Sequence, residues 1–410
     1  MKILHALAQL PTRTGSGVYY SNVVEEFKNH DYTQAAVFAV QDDFVFDVLE
    51  KEAQYPVQFK SEILPFPIAG MSDVMPYENT IYSEMTEEMV EIWLATFKQR
   101  LLQAREEFNP DVVVLHHLWM LTSMAVEIFD DKVKIGICHN TDIRQAQQQL
   151  HMKEKYVISL HKLDAVFTLS DGQSDLVEKV FDIDKDKLVT IGGGFNQRVF
   201  HPPVNKRKSD KVELVFAAKI EQSKGAFELI KAFKKVSETK PNIHLDIIGT
   251  PNEKNEKILT DTIGDAQNIN LTKITSQQVL ADRLREKDIY VMASYFEGLA
   301  LIAIECLACG LRVVSTEIEA LMATLDGTVN NSGVIEYVPL PRLYDTDKPV
   351  EGDIPQFVDD LAKKLLVQIE RIENEEPISE EVMAEINKLS WKGISAKINV
   401  AILETVESAT

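Results

Sequence analysis

Strand-like apolar runs alternate with helix-like periodic segments along nearly all of this 410-residue chain, and that alternation restricts it to parallel α/β architecture, in which each crossover returns the chain to the same edge of a sheet. "KILHALA" leads through a Gly-rich turn to "VYYSNVVEEFKN", "DVVVLHH" to "LTSMAVEIF", "VKIGICHN" to a long helical stretch, and "DAVFTLS" to "DGQSDLVEKVF". "LVTIGGG" closes this first series. A polar, Pro-containing passage with a basic run, "FNQRVFHPPVNKRKSDK", reads as a linker. The second series runs "VELVFAAK", "GAFELIKAFKKVSET", "HLDIIGT", "INLTKI", "DIYVMAS" and "LRVVST".

The spacing predicts two Rossmann-like doubly wound domains, residues 1–195 and 196–390, whose carboxyl edges face each other across a cleft. A chain of this length exceeds what one core usually organises. The acidic segment 349–384 reads as a solvated helix with loops, and a last helix begins near "LSWKGISAK".

The formal net charge of −21 argues against nucleic acid and against a polybasic membrane face. The start, "MKILHALAQLPTRTG", holds an apolar run too short to be a leader or a spanning helix. Three cysteines make no disulfide framework, so a reducing cytoplasm is expected. Cys306 and Cys309 form a C-x-x-C, but inside an apolar helix, where they read as packing residues.

Anion-binding chemistry has two placements. Gly15 and Gly17 stand between the first strand and the first helix, where backbone N–H groups receive a phosphate or simply close a tight turn. The dinucleotide spacing is absent, because Tyr20 stands where a third Gly belongs. Lys219 ends a strand and Lys224 precedes Gly225 at a helix start, so two ammonium groups either converge on one anion or are solvated loop lysines. Two carboxylates then interrupt the apolar run "SYFEGLALIAIECLACGLRVVS". Glu297 stands at its mouth, and Glu305, eight residues later, has apolar neighbours on both sides, where an unpaired charge costs several kcal/mol. Asp345, Thr346 and Asp347 imitate a D-x-D metal motif in a late polar loop and are expected to be solvent-exposed.

These pieces, in this order, resemble the retaining, nucleotide-sugar-dependent glycosyltransferases of family four, which have the GT-B fold. The likeness covers nearly the whole chain: the Gly-rich first turn, "DVVVLHH", "ICHN", "FTLSDGQ", "VTIGGGFNQRVFHP", the pair Lys219 and Lys224, Glu297-x7-Glu305, and the closing "LSW". The resemblance implies a hexosyltransferase whose donor is a nucleoside diphosphate sugar, UDP-linked, whose acceptor is unidentified, and which needs neither cofactor nor metal. It implies that Glu305 accepts from the ribose hydroxyls and Glu297 from the transferred sugar. It places the N–H groups of Leu299, Ala300 and Leu301 at the diphosphate, with Gly249, Gly15 and Gly17 also on the donor side, and assigns Lys219 and Lys224 to leaving-group stabilisation. His139 matches the family's histidine near the donor sugar, although alone it reads equally as a structural residue. His116 and His117 are acceptor-side candidates that read equally as residues shaping the cleft, and Arg144 is a further acceptor-side candidate. The final helix, residues 391–410, is expected to cross back to the first domain.

Three departures stand out. Lys219 occupies the usual Arg position, replacing a bidentate fork by a point charge. Ala300 replaces a Gly of the usual "EGFGL" and is strained if its φ is positive. "IGGGFNQ" lacks the common Pro-Asn. Two rival functions share the scaffold: a phosphorylase using free phosphate in the same pocket, and a catalytically silent partner subunit.

Overall fold

The computed structural model describes residues 1–205, 209–274 and 276–409; the linker's basic run, residues 206–208, lies outside them. The chain divides into two compact units: Met1–Gly193 together with the C-terminal helix Trp391–Ala409, and Gly194–Ser390.

The first unit is built on a seven-stranded sheet: β1 (Lys2–Leu7), β2 (Thr33–Val40), β3 (Gln54–Gln58), β4 (Val112–His116), β5 (Val133–Ile137), β6 (Ala165–Thr168) and β7 (Leu188–Thr190). Its order is β3-β2-β1-β4-β5-β6-β7, with every pairing parallel. The second unit repeats the plan with β8 (Val212–Ala217), β9 (Ile243–Ile248), β10 (Ile269–Thr272), β11 (Ile289–Met292), β12 (Arg312–Thr316) and β13 (Ile335–Val338), ordered β10-β9-β8-β11-β12-β13. Both orders reverse direction beside their first strand, and in open parallel sheets ligands bind in the crevice that this reversal leaves at the carboxyl ends. In the first unit that point lies between β1 and β4, in the second between β8 and β11.

Helices cover both faces, which is why the strands read as continuous apolar runs rather than alternating ones. In β8, Leu214 and Phe216 join one buried cluster, while Val215 and Ala217 join the cluster on the opposite face. The expectation of a solvated helix in the acidic segment is corrected: Ile354–Glu373 is an amphipathic helix whose Phe357, Leu361, Leu365 and Ile369, at spacing four, are buried in the core of the second unit. Acidic side chains occupy its other face. The stretch after "VKIGICHN" is two short helices, Thr141–Gln148 and Leu150–Tyr156, rather than one long one.

The ends of the second unit lie side by side, Phe195 donating its amide to the Leu389 carbonyl at 3.1 Å. The final helix packs within the first unit, where Trp391 meets Tyr19 edge to face at 4.9 Å. Cys138, Cys306 and Cys309 are all buried thiols. Among the described residues no helix is long and apolar enough to cross a membrane.

Candidate functional site

In the first unit, Gly15 and Gly17 lie in the first turn of the helix Gly15–Glu26, which follows β1, rather than in the loop before it. Thr14 caps this helix by accepting from the Gly17 amide at 3.0 Å. A Cβ on Gly17 would sit 2.5 Å from the Leu10 carbonyl oxygen, so Gly17 is required by the chain folding over it; nothing crowds Gly15.

The ends of β4 and β5 bring three histidines together. His116 Nδ1 and His139 Nε2 are 3.1 Å apart with the rings stacked at 5.3 Å, and His117 lies 4.9 Å from the His139 ring. Tyr19 closes on His139 at 5.2 Å and Tyr20 on His116 at 4.9 Å, both edge to face. Burial pushes His139 down to about 3. His116 falls well below the ordinary imidazole range, through burial and then its histidine neighbours, as does His117 for the same two reasons. Neutral rings offer one donor and one acceptor each. His116 Nε2 and both nitrogens of His117 are buried without a partner among the described residues. Arg144 is not part of this group; it projects from an exposed position on the helix Thr141–Gln148.

In the second unit, the loops after β8 and β11 meet. Lys224 Nζ lies 2.9 Å from Glu297 Oε1, which also accepts from Ser294 Oγ at 2.7 Å. The Tyr295 amide donates to the Ser223 carbonyl at 3.0 Å, joining the two loops through the backbone. Their approach depends on Gly225, whose φ is +66° and whose added Cβ would fall 2.1 Å from the Ala293 oxygen. Gly249, at the end of β9, has a related structural duty, since a Cβ there would lie 2.2 Å from the Ala218 oxygen. Lys219 is exposed just beyond β8.

Ala300 adopts φ 51°, ψ 36° and caps the helix Leu301–Ala308 from the left-handed region. That conformation costs an alanine about 1–2 kcal/mol. Leu299 and Leu301 flank it, half-buried. Glu305 lies one turn and a residue into this helix, half-buried, with no side-chain partner among the described residues. Burial pushes its carboxyl up from 4.5 to about 8. Because the folded value exceeds the unfolded one, this group's contribution to stability is full below about pH 4.5 and is lost as the pH rises through about 8. Glu305→Gln should therefore hold its melting temperature between about pH 6 and pH 9 better than the parent; parallel slopes in thermal melts would remove the linkage.

The D-x-D sequence lies elsewhere. Asp345 is exposed and paired with Lys348 at 2.7 Å. Asp142 and Ser294 do not stand out in the sequence, and Gly225, readable there only as the start of a helix after Lys224, turns out to set the approach of the two loops.

Residues 197–336 match the family model described as Glycosyl transferases group 1. An uncharacterized glycosyltransferase of Methanocaldococcus jannaschii is 24% identical over 297 residues, 67% of this chain and 71% of that protein. The chain spans only 57 to 60% of the next curated relatives. Sucrose-phosphate synthase from Thermosynechococcus elongatus superposes with a TM-score of 0.66 at 14% identity, over 100% of both chains. Anabaena HepE, solved in complex with UDP, superposes with a TM-score of 0.62 at 13% identity, over 98% of this chain and 100% of that one. Residues 197–336, most of the second unit, thus carry the group 1 glycosyl transferase signature, on a chain that has the GT-B fold.

Proposed function

We propose that this chain is a retaining hexosyltransferase that moves a sugar from a nucleoside diphosphate, UDP-linked, to a hydroxyl acceptor. The observation that carries this reading is Glu305: a carboxyl desolvated inside an apolar helix, without a protein partner among the described residues, eight positions after the Lys224-bound Glu297. Two carboxylate oxygens suit a vicinal ribose diol, and the side chain of a helical residue leans toward the helix N-terminus. HepE, which shares the fold, is solved in complex with UDP, and this supports a nucleotide as the ligand class.

The diphosphate then meets the amides at Leu299, Ala300 and Leu301, where the helix begins, with the Gly249 turn beside the Lys219 loop. Lys224, released from Glu297, and the exposed Lys219 take up the charge that develops as the anomeric carbon–phosphate oxygen bond breaks. Glu297, freed in the same exchange, accepts from the sugar. These ammonium groups and amides do what a metal ion would otherwise do, so no cofactor is assigned. The acceptor oxygen bonds to the anomeric carbon on the face the diphosphate leaves, retaining configuration, and its proton passes to the departing phosphate oxygen. Within the first unit the groups suited to a sugar hydroxyl are the neutral rings of His116, His117 and His139, with the uncrowded Gly15 and the exposed Arg144 as further candidates, whereas the Gly17 amide already donates to Thr14. Three free thiols fit a cytoplasmic setting.

Glu305→Ala should weaken UDP binding by about 1.5–3 kcal/mol, roughly tenfold to a hundredfold. Ribose hydroxyls favour the charged carboxylate, so UDP binding to the parent should release a proton near neutral pH and tighten as the pH rises toward about 8. Calorimetry in buffers of different ionisation heat measures both. Equal dissociation constants for parent and variant would take Glu305 out of the ribose site, and the absence of any UDP binding to the parent would overturn the donor assignment.

A further inference from the structure

We propose that Asp142 is a positioning residue whose buried carboxylate fixes the turns after β4 and β5, and with them the histidine rings; this rests on the transfer reaction proposed above.

Asp142 is the second residue of the helix Thr141–Gln148 and is completely buried. Its Oδ2 accepts from the Leu118 amide at 2.8 Å, directly after His117. The His139 amide reaches both oxygens, at 3.2 and 3.3 Å. Cys138 Sγ donates to Oδ1 at 3.2 Å. One carboxylate therefore ties together the ends of two adjacent parallel strands that carry His116, His117 and His139.

Those turns need holding. His117 and Asn140 have φ of 70° and 69°, conformations that persist only where the surroundings enforce them. Every group facing the carboxylate is a donor, so an acceptor-only side chain fits, whereas an amide would turn an NH2 toward an N–H or the thiol. The effect reaches the rings because His116 Nδ1 and His139 Nε2 are within hydrogen-bond distance, so that one must donate while the other accepts. Moving either turn breaks that pairing.

The test uses the full chain with histidine ring nitrogens labelled, comparing the parent with Asp142→Asn. The ring signals of His116 and His139 should move while those of His151, His161 and His201 stay. UDP-glucose hydrolysis should lose about tenfold to a hundredfold in kcat, the scale of a misplacement near 1 Å, with KM within about twofold. A general loss of stability would lower the melting temperature without moving those two signals in the folded protein. Unmoved signals, or an unchanged kcat, would overturn the proposal. If the parent fails to bind UDP, the transferase reading falls and the ring signals alone decide whether Asp142 positions the rings. If Asp142→Asn does not fold, amide exchange in the parent decides: protection at Leu118 and His139 matching that of β4 and β5 supports the proposal, and rapid exchange at either refutes it.

Discussion

Lys224→Ala should lower donor turnover by about tenfold to a thousandfold, by analogy with deleting one preorganised donor to a developing oxyanion, while leaving the fold nearly as stable as before. Lys224 and Glu297 are 23% and 20% exposed, and their 2.9 Å pair borders solvent. Pairs with access to water contribute little to folding. The carboxylate also keeps the Ser294 hydroxyl when the ammonium is gone. The cost should therefore fall on the transition state, where no water of comparable charge replaces the ammonium. Steady-state kinetics with UDP-glucose, beside a thermal melt, separates the two effects. Unchanged turnover in a folded Lys224→Ala, Lys219→Ala protein would end the leaving-group assignment.

Gly225→Ala should cost about 2–5 kcal/mol, combining a left-handed backbone that alanine resists with a steric displacement of the neighbouring strand end. The added methyl would lie 2.1 Å from the Ala293 oxygen and 2.8 Å from the Ala293 carbonyl carbon, backbone atoms that no rotamer change moves away. Relief requires parting the loops after β8 and β11, which also separates Lys224 from Glu297. Chemical denaturation should show the loss, and UDP affinity should fall with it. A variant as stable as the parent would mean that these loops are not held together as described.

The two parallel sheets were legible because apolar runs and periodic segments alternate in "DVVVLHH", "VELVFAAK" and "DIYVMAS", whereas the GT-B fold was implied only by the resemblance to the glycosyltransferase family. Other elements were hidden for identifiable reasons. β2 is "TQAAVFAV", rich in Ala, and β3 contains Pro56 at the sheet's edge. In the helix Ile354–Glu373 the acidic residues of the exposed face mask the apolar spacing of the buried one. The positions of Lys224, Glu297, Glu305 and the histidines could be read along the chain, but their pairings could not. Nothing near Lys224 announces an ion pair with a residue 73 positions away. Asp142 was overlooked beside the more conspicuous Arg144, because its burial results from amides at Leu118 and His139 that only the paired strands bring to it.

The first unit is begun by Met1–Gly193 and completed by the helix Trp391–Ala409, which follows the whole of the second unit along the chain. Trp391 lies against Tyr19, the Tyr32 hydroxyl donates to Asn399, and Ile394 covers Gly192. On the ribosome, at about 5–20 residues per second, the second unit is therefore fully synthesised while the first still lacks the helix that seals Tyr19. For roughly 10–40 seconds, the time to translate some 200 residues at that rate, the nascent first unit shows an unsealed face. Birth order and completion order are inverted, so a premature stop before Trp391 should harm the unit encoded farthest from it.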